Sequence, residues 1–381
     1  MHAIAKGRIS ILLRGFLIVF ATIPVSSSSA QFAFFGQEDK MELVKRASDF
    51  VYNLEVDSGS FYINKVKSEM PDHPIVPLME GVQLLWTYLP VLDDTTFNQF
   101  LSKMNETVER SQPGNGAKQN AELLFFELAA RGLMAEYFAD RGQYMKALGE
   151  ANKAYKLIKD GFELTSEINE FLFTTGLYNY FREKYPQVYP IYKPFVWVFK
   201  SGDQELGLRQ LDEATRTTII SRIEAHIYIS YIYLRYEDTP EKAQEYLSFL
   251  VRQYPKNLYL ATKFLESVRD DKYLESAPLE LIYRLQESDR PYFQMAGNIF
   301  RGLYEEKINA NPKKAYAYYS QGIDKGKSLP SHGEFYKSLA YLGMGRILST
   351  DRPETSRFYL NKALEFAETK DVKKEARRLL R

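Results

Sequence analysis

Apolar residues recur at spacings of three and four along almost the whole chain from Glu38 onward. This spacing places them on one face of an α-helix, whereas the period-two alternation that predicts strands is not found. Clusters of proline and glycine interrupt the periodic runs at 71–74, 113–116, 140–142 and 329–333. The pattern therefore predicts an all-α protein whose helices, mostly of roughly 12 to 22 residues, are joined by short turns.

Four positions carry side chains that typically cap the start of a helix. These residues are Thr239, Asn311, Ser201 and Asp351. A proline follows each of the first two, and its missing N–H has no cost in the first helical turn. A glutamine or glutamate stands three residues after each of the other two, which is the spacing of a capping box. We expect a helix to begin at each of these positions.

The clearest repeated pattern lies between Leu133 and Lys159. Small and aromatic residues there occupy the positions that let two antiparallel helices approach closely: Ala135, Phe138, Tyr144, Ala147, Ala151 and Ala154. The pattern resembles the tetratricopeptide repeat (TPR), a helical hairpin of about 34 residues. Similar positions recur at irregular intervals around Ala243, Ala315 and Ser356. The resemblance implies an irregular TPR-like solenoid of helical hairpins.

The domain organisation follows from these patterns. We expect TPR-like repeats over 117–381, and an N-terminal helical subdomain or cap over 31–112, where the repeat pattern fits poorly. The basic helix expected at 370–381 suits a polar cap that shields the last repeat.

The first 30 residues have the organisation of a secretory signal peptide. Three basic residues precede an apolar run at 15–25, and small residues stand at positions 28 and 30. An uncleaved anchor would need about 20 apolar residues to cross the bilayer. The chain has no cysteine to carry a lipid anchor. We expect a signal peptide over 1–30, no integral membrane span after its cleavage, and export to the periplasm or outer membrane of a Gram-negative bacterium.

Charge and composition argue against several classes of function. The complete chain carries a formal charge of +1, and the leader holds three of its 50 lysines and arginines and none of its 49 acidic residues. The mature chain therefore lacks the basic excess of a nucleic-acid-binding protein. Without cysteine there is no thiolate chemistry. The four histidines do not have the spacing of metal ligands on one helix face. We predict no enzymatic activity, no metal and no cofactor.

One segment departs from the repeat pattern. After a helix that we expect to end at Phe181, prolines recur every fourth residue and interrupt helical structure, and we predict an insertion over 184–200. The flanking positions Gly176, Leu177, Asn179, Gly202, Asp203, Glu205, Gly207, Leu208 and Leu211 resemble the tetratricopeptide repeat protein 39 and inclusion-body clearance family. That resemblance implies a scaffold that acts through protein association, with no catalytic residues to carry over.

The insertion has two interpretations. Its aromatic residues and prolines could form a rigid connector that packs across the solenoid. Alternatively, its amphipathic aromatic residues could line a groove for a peptide or an apolar ligand, because such side chains give large contact areas at low entropic cost. The candidate partner-binding residues are Tyr178, Tyr185, Tyr189, Tyr192 and Trp197.

Two functions remain open from the sequence. The first is an exported scaffold that binds a protein or peptide along a concave helical face. The second is a periplasmic component that binds a small molecule or lipid in an enclosed apolar cavity and is associated with transport. An open groove would favour the first function, and a co-purifying lipid or metabolite would favour the second.

Overall fold

The computed structural model describes residues 34–113, 120–188, 190, 193, 199–269, 274–275, 278–329 and 332–381. Within these ranges the chain forms 17 α-helices and no strand. Consecutive helices pack against each other as hairpins. The predicted all-α, helical-hairpin solenoid is therefore confirmed.

Contacts divide the chain into two compact units, with the boundary between Ile229 and Ser230. The helices of the N-terminal unit are α1 (Glu38–Tyr52), α2 (Val56–Glu69), α3 (Ile75–Tyr88), α4 (Asp94–Arg110), α5 (Ala121–Asp140), α6 (Tyr144–Leu164), α7 (Phe171–Val188), α8 (Gln204–Thr217) and the first half of α9 (Arg222–Arg235). Residues 34–112 thus belong to the same unit as the hairpins that follow them.

The C-terminal unit begins within α9. Its further helices are α10 (Pro240–Gln253), α11 (Leu258–Ser267), α12 (Leu279–Glu287), α13 (Pro291–Lys307), α14 (Pro312–Lys325), α15 (Glu334–Leu348), α16 (Pro353–Phe366) and α17 (Lys370–Leu380). The closest pairs in this unit are α13 with α14 and α15 with α16. Helix α13 also packs against α11 and α15, and α15 packs against α17. Helices α11, α13, α15 and α17 therefore form one continuous layer.

The N-terminal unit has the same two-layer arrangement. Its hairpins are α1 with α2, α3 with α4, α5 with α6, and α7 with α8. Helix α3 also contacts α1 and α5, so that the first helices of successive hairpins lie in a common layer. This is the packing that a solenoid of helical hairpins needs to bury a continuous core.

The small residues between Leu133 and Lys159 occupy the core, as their spacing predicts. Buried positions on α5 and α6 include Ala135, Phe138, Ala147, Ala151 and Ala154. Tyr144 differs, because it opens α6 and is 49% exposed. The repeat pattern thus correctly predicts the helix pair and its buried residues, apart from this one aromatic position.

Two of the four expected helix starts are confirmed, since helices begin directly after Thr239 and Asn311. Asn311 accepts the backbone N–H of Lys314 at 3.1 Å, whereas the hydroxyl of Thr239 makes no capping hydrogen bond. Ser201 is not the cap of α8, because Asp203 lies closer to the helix and accepts the N–H of Leu206. Asp351 is also wrong as a cap, since α16 begins one residue further on, with a proline in its first turn.

Helix α7 ends later than the sequence indicates. It continues seven residues beyond Phe181 to Val188 and includes Pro186. Tyr185 and Pro186 are both buried, and their packing supports the last turn although proline lacks an N–H donor. The expected helix end at Phe181 is therefore wrong.

Two buried glutamates satisfy backbone groups that lack a partner within a helix. Glu122 accepts the N–H groups of Phe34 at 2.8 Å and Phe35 at 3.2 Å, and its other oxygen lies 2.8 Å from His73 Nε2. Glu170 accepts the N–H groups of three consecutive residues, 219–221, at 2.7 to 2.9 Å. Glu122 therefore holds the backbone at Phe34 and Phe35, and Glu170 holds the turn that precedes α9.

Candidate functional site

Tyr178 and Tyr185 lie inside the N-terminal unit. The ring of Tyr178 packs against Tyr155 and Phe162, with ring centroids 5.7 and 5.3 Å away. Tyr185 packs against Phe181 at 5.8 Å. Both tyrosines are more than 90% buried, so their rings contact the protein's own core. Tyr189, Tyr192 and Trp197 lie outside the described residues, and the binding role of all five stays a prediction.

The chain is held firmly where it leaves the 184–200 segment. The carbonyl of Lys200 accepts the hydroxyl of Tyr178 at 2.6 Å, and its N–H donates to the hydroxyl of Tyr155 at 3.1 Å. The Lys200 ammonium lies 4.0 Å from the centroid of the Phe162 ring. Tyr178 and Tyr155 thus fix the backbone at the end of the segment, which makes them positioning residues in this structure.

Gly176 and Gly207 bring α7 and α8 into backbone contact. A Cβ atom on Gly207 would lie 2.6 Å from the backbone nitrogen of Tyr180 and 2.8 Å from the carbonyl oxygen of Gly176. The side-chain amide of Asn179 donates to Gln210 at 2.7 Å across the same helix pair. Close helix packing therefore accounts for the spacing of these residues.

A second feature of the N-terminal unit is a group of acidic and aromatic side chains around the first half of α9. We refer to it as the α9 cluster, formed by Tyr52, Trp86, Glu136, Glu224 and Tyr228. The first three residues come from α1, α3 and α5, which belong to the layer of first helices. The cluster thus assembles residues that are distant in the sequence onto one helix.

The carboxylate of Glu224 is held through only one of its oxygens. Its Oε1 accepts the hydroxyl of Tyr52 at 3.0 Å and the indole N–H of Trp86 at 3.3 Å. Within the part of the chain that the structure describes, Oε2 makes no hydrogen bond. The two aromatic rings lie 4.9 Å apart and form the wall beside the carboxylate.

The second acidic residue of the cluster is Glu136. Its Oε2 accepts a short hydrogen bond from the hydroxyl of Tyr228, and the edge of the Phe173 ring packs 5.6 Å from the Tyr228 ring. Tyr52 and Trp86 are buried, while Glu136, Glu224 and Tyr228 are partly exposed. The cluster therefore has a buried aromatic wall and an acidic rim that solvent reaches.

Burial dominates the electrostatics of the cluster. It raises the pKa of Glu224 above its usual value, an effect that the hydrogen bonds from Tyr52 and Trp86 only partly offset. The pKa of Tyr228 is raised well above 10 by burial and by the charges of Glu136 and Glu224. A cation placed beside Glu224 would favour the charged form of its carboxylate.

The C-terminal unit contains a buried glutamate, Glu266, whose pKa is lowered instead of raised. The carboxylate of Glu266 accepts hydrogen bonds from the ammonium of Lys263 and from the hydroxyl of Tyr336, both at 2.7 Å. It also forms a short ion pair with the guanidinium of Arg235. Burial alone would raise the pKa of Glu266, but the charges of Lys263 and Arg235 outweigh it and lower the pKa to about 2. This acid is already neutralised by the protein's own cations.

The described residues contain no group of three or more His, Asp or Glu side chains placed to hold a metal ion. Across the same residues, none of the helices combines the length and the apolar character needed to cross a membrane. The chain matches no known protein-family model and no curated protein.

None of the five residues of the α9 cluster was a candidate from sequence alone. They come from four helices. Because the repeats of this chain differ in length, its sequence does not predict which helices contact each other within the layer. One signal was present, because Glu224 and the neighbouring Arg222 and His226 interrupt a helix that is otherwise apolar on two sides. A charged residue in such a helix requires a buried partner or a ligand.

Proposed function

We propose that this protein is a non-enzymatic, exported, TPR-like scaffold that binds a protein or peptide in the bacterial envelope. The observation that carries the proposal is the α9 cluster, in which side chains from three successive first helices meet α9 and leave a partly exposed acidic rim. In helical-repeat proteins the extended surface built from successive repeats is where partners bind.

The chemistry of the cluster suits recognition. Tyrosine and tryptophan supply large contact areas and a polar tip, and they are enriched among the residues that dominate binding energies. Tyr52 and Trp86 are fixed by burial and by their hydrogen bonds to Glu224, so little side-chain entropy is lost when a partner contacts the rim. The rim is thus preorganised for a ligand.

The 184–200 segment is a second proposed contact region. Lys200 is held by Tyr155 and Tyr178, so the segment leaves from a fixed point on the helical frame. We assign partner contact to Tyr189, Tyr192 and Trp197, and a supporting role to the buried Tyr178 and Tyr185.

The test is site-specific crosslinking in cells. A photoreactive phenylalanine analogue is placed at Tyr228 and, as a control, at Phe61, which is 55% exposed on α2 in the second-helix layer of the same unit. Mass spectrometry identifies what each position captures. We expect one defined polypeptide at Tyr228 that is absent at Phe61.

Two other results would contradict the proposal. Identical capture at Tyr228 and Phe61 would mean that the rim has no special role. A lipid or metabolite that co-purifies in native mass spectrometry, with no polypeptide crosslinked at Tyr228, would support the small-molecule or lipid-binding alternative. Export is tested separately by cell fractionation and N-terminal sequencing, with Gln31 as the expected first residue.

A further inference from the structure

We propose that the α9 cluster binds a cationic side chain, a lysine or an arginine of the partner polypeptide, with Glu224 Oε2 as the principal acceptor. This inference rests on the proposed scaffold function and specifies the chemistry of the partner. It follows from the hydrogen bonding, the charge and the aromatic surroundings of Glu224.

Hydrogen bonding at Glu224 is one-sided. A carboxylate offers about four acceptor sites on its two oxygens. Tyr52 and Trp86 both donate to Oε1, while Oε2 accepts nothing from the described residues. Both donors are neutral, so they orient the carboxylate but leave its charge in place. An ammonium or guanidinium group provides both the missing donor and the opposite charge.

The charges around the cluster are acidic in sum. Glu136 and Glu224 face Tyr228 from two sides, and both raise its pKa. The nearest basic residue on α9 is Arg222, whose guanidinium is engaged by Asp49 on α1 at 2.8 Å. Burial lowers the pKa of His226, which keeps this neighbour neutral at pH 7. The cluster therefore attracts a positive charge from outside.

The aromatic residues favour an organic cation with an apolar stem. The rings of Tyr52 and Trp86 lie 4.9 Å apart next to Glu224, and Tyr228 packs against Phe173 on the other side. Aromatic rings attract ammonium and guanidinium groups, and arginine and lysine bury their methylene stems against apolar surfaces. Such a site distinguishes a basic side chain from a small hydrated ion.

In the C-terminal unit, Glu266 shows how this chain pairs a comparable acid with a cation. Glu266, like Glu224, accepts a hydrogen bond from a tyrosine, although Glu266 is fully buried and Glu224 is partly exposed. At Glu266 the ammonium of Lys263 lies 2.7 Å from the same oxygen, Oε1, that the tyrosine hydroxyl contacts, and the Arg235 guanidinium contacts the other oxygen. The two cations stabilise this acid in its charged form. We infer that the partner supplies to Glu224 the cation that the chain itself supplies to Glu266.

The test uses isothermal titration calorimetry, which needs no reporter residue and leaves the proposed contact residue Trp197 unchanged. The reference protein is the unmodified chain. The probes are pentalysine and pentaglutamate peptides with blocked ends, and free spermidine. Each is titrated into the reference protein, Glu224→Gln and Glu109→Gln. Glu109 is an exposed acid on α4 of the same unit and serves as the matched charge control.

We expect saturable binding of pentalysine that weakens at least about tenfold in Glu224→Gln, in line with the loss of one charge-assisted hydrogen bond. Glu109→Gln should bind as the reference does, and pentaglutamate should not bind. The glutamine keeps an acceptor for Tyr52 and Trp86, and an unchanged far-ultraviolet circular dichroism spectrum with a single cooperative melting transition confirms an intact fold. Glu136→Gln is the second variant and should weaken binding less.

Three results would overturn the inference. Equal weakening in Glu224→Gln and Glu109→Gln would indicate general electrostatic attraction. Spermidine binding as tightly as pentalysine would identify a free amine as the ligand. No response to pentalysine would exclude a basic side chain. If the Tyr228 crosslink to a polypeptide persists in any of these cases, the scaffold function stands and only the assigned chemistry fails.

Discussion

Gly207 on α8 faces the backbone nitrogen of Tyr180 on α7 so closely that a Cβ atom would lie 2.6 Å from it. A neighbouring backbone atom, the carbonyl oxygen of Gly176, would be 2.8 Å away. Backbone atoms cannot move aside as a flexible side chain can. The two helices can therefore pack this closely only with glycine at position 207.

The first prediction concerns this contact. Gly207→Ala should lower the free energy of unfolding by about 1 to 3 kcal/mol, because the added methyl group forces α7 and α8 apart. The measurement is chemical denaturation followed by circular dichroism. Gly149 on α6 is the control, since a Cβ there would meet nothing within 4 Å. Gly149→Ala should raise stability by up to about 1 kcal/mol. Equal effects of the two substitutions would refute the packing argument.

The second prediction concerns the pH dependence of the α9 cluster. Because the pKa of Glu224 is raised in the folded state, folding favours its protonated form. Its contribution to the free energy of unfolding should therefore decrease as pH rises from 4.5, its ordinary value, through the folded pKa. Glu224→Gln should remove this contribution, so the variant should be more stable than the wild type at pH 8 and similar to it below pH 4. Melting temperatures across this range provide the test, and a less stable variant at pH 8 would contradict it.

The third prediction concerns Glu266 in the C-terminal unit. Glu266→Gln should cost about 3 to 5 kcal/mol near neutral pH, because it leaves Arg235 and Lys263 buried without their counter-charge. The lowered pKa of Glu266 means that its stabilising contribution is present above pH 4.5 and is lost as pH falls towards 2. Denaturation curves at pH 7 and pH 3 measure both effects. Glu280→Gln, at an exposed position of α12, is the control, for which we expect a loss of less than about 0.5 kcal/mol.

The fourth prediction concerns the start of the described chain. Phe34 is 1% exposed and packs near His73 and Phe126, and Glu122 holds its N–H. Phe34→Ala should cost about 3 to 5 kcal/mol and expose this end of the chain to proteases. Limited proteolysis and thermal melting check this. Phe61→Ala removes the same ring from an exposed position, so proteolysis of both variants at the same rate would contradict the proposed anchoring.

The sequence predicted the helical class and several individual helices because apolar periodicity is a local property. The α5 and α6 pair is the best example, since the residues that make its contacts lie within about one repeat of each other. Cap assignments were less successful for a physical reason. Several residues near a helix start can cap it, and competition between neighbours such as Ser201 and Asp203 depends on where the helix begins.

The α9 cluster could not be predicted in the same way. Glu224 meets Tyr52 and Trp86 across 172 and 138 residues of sequence, and these contacts depend on how several hairpins stack. Small rotations at each hairpin accumulate along a solenoid, and a single sequence does not specify them. The segment 176–211 stood out in the sequence because glycines that allow close helix contact recur there at short spacing.

The hydrogen bonds between Glu170 and the turn before α9 have a consequence for folding. The N–H groups of residues 219–221 find their acceptor in a residue about fifty positions earlier, immediately before α7. This turn is therefore held in place only when the start of α7 has packed beside it. Repeat arrays usually gain stability one neighbour at a time, and this link ties the turn that leads into α9 to the start of the α7 and α8 hairpin.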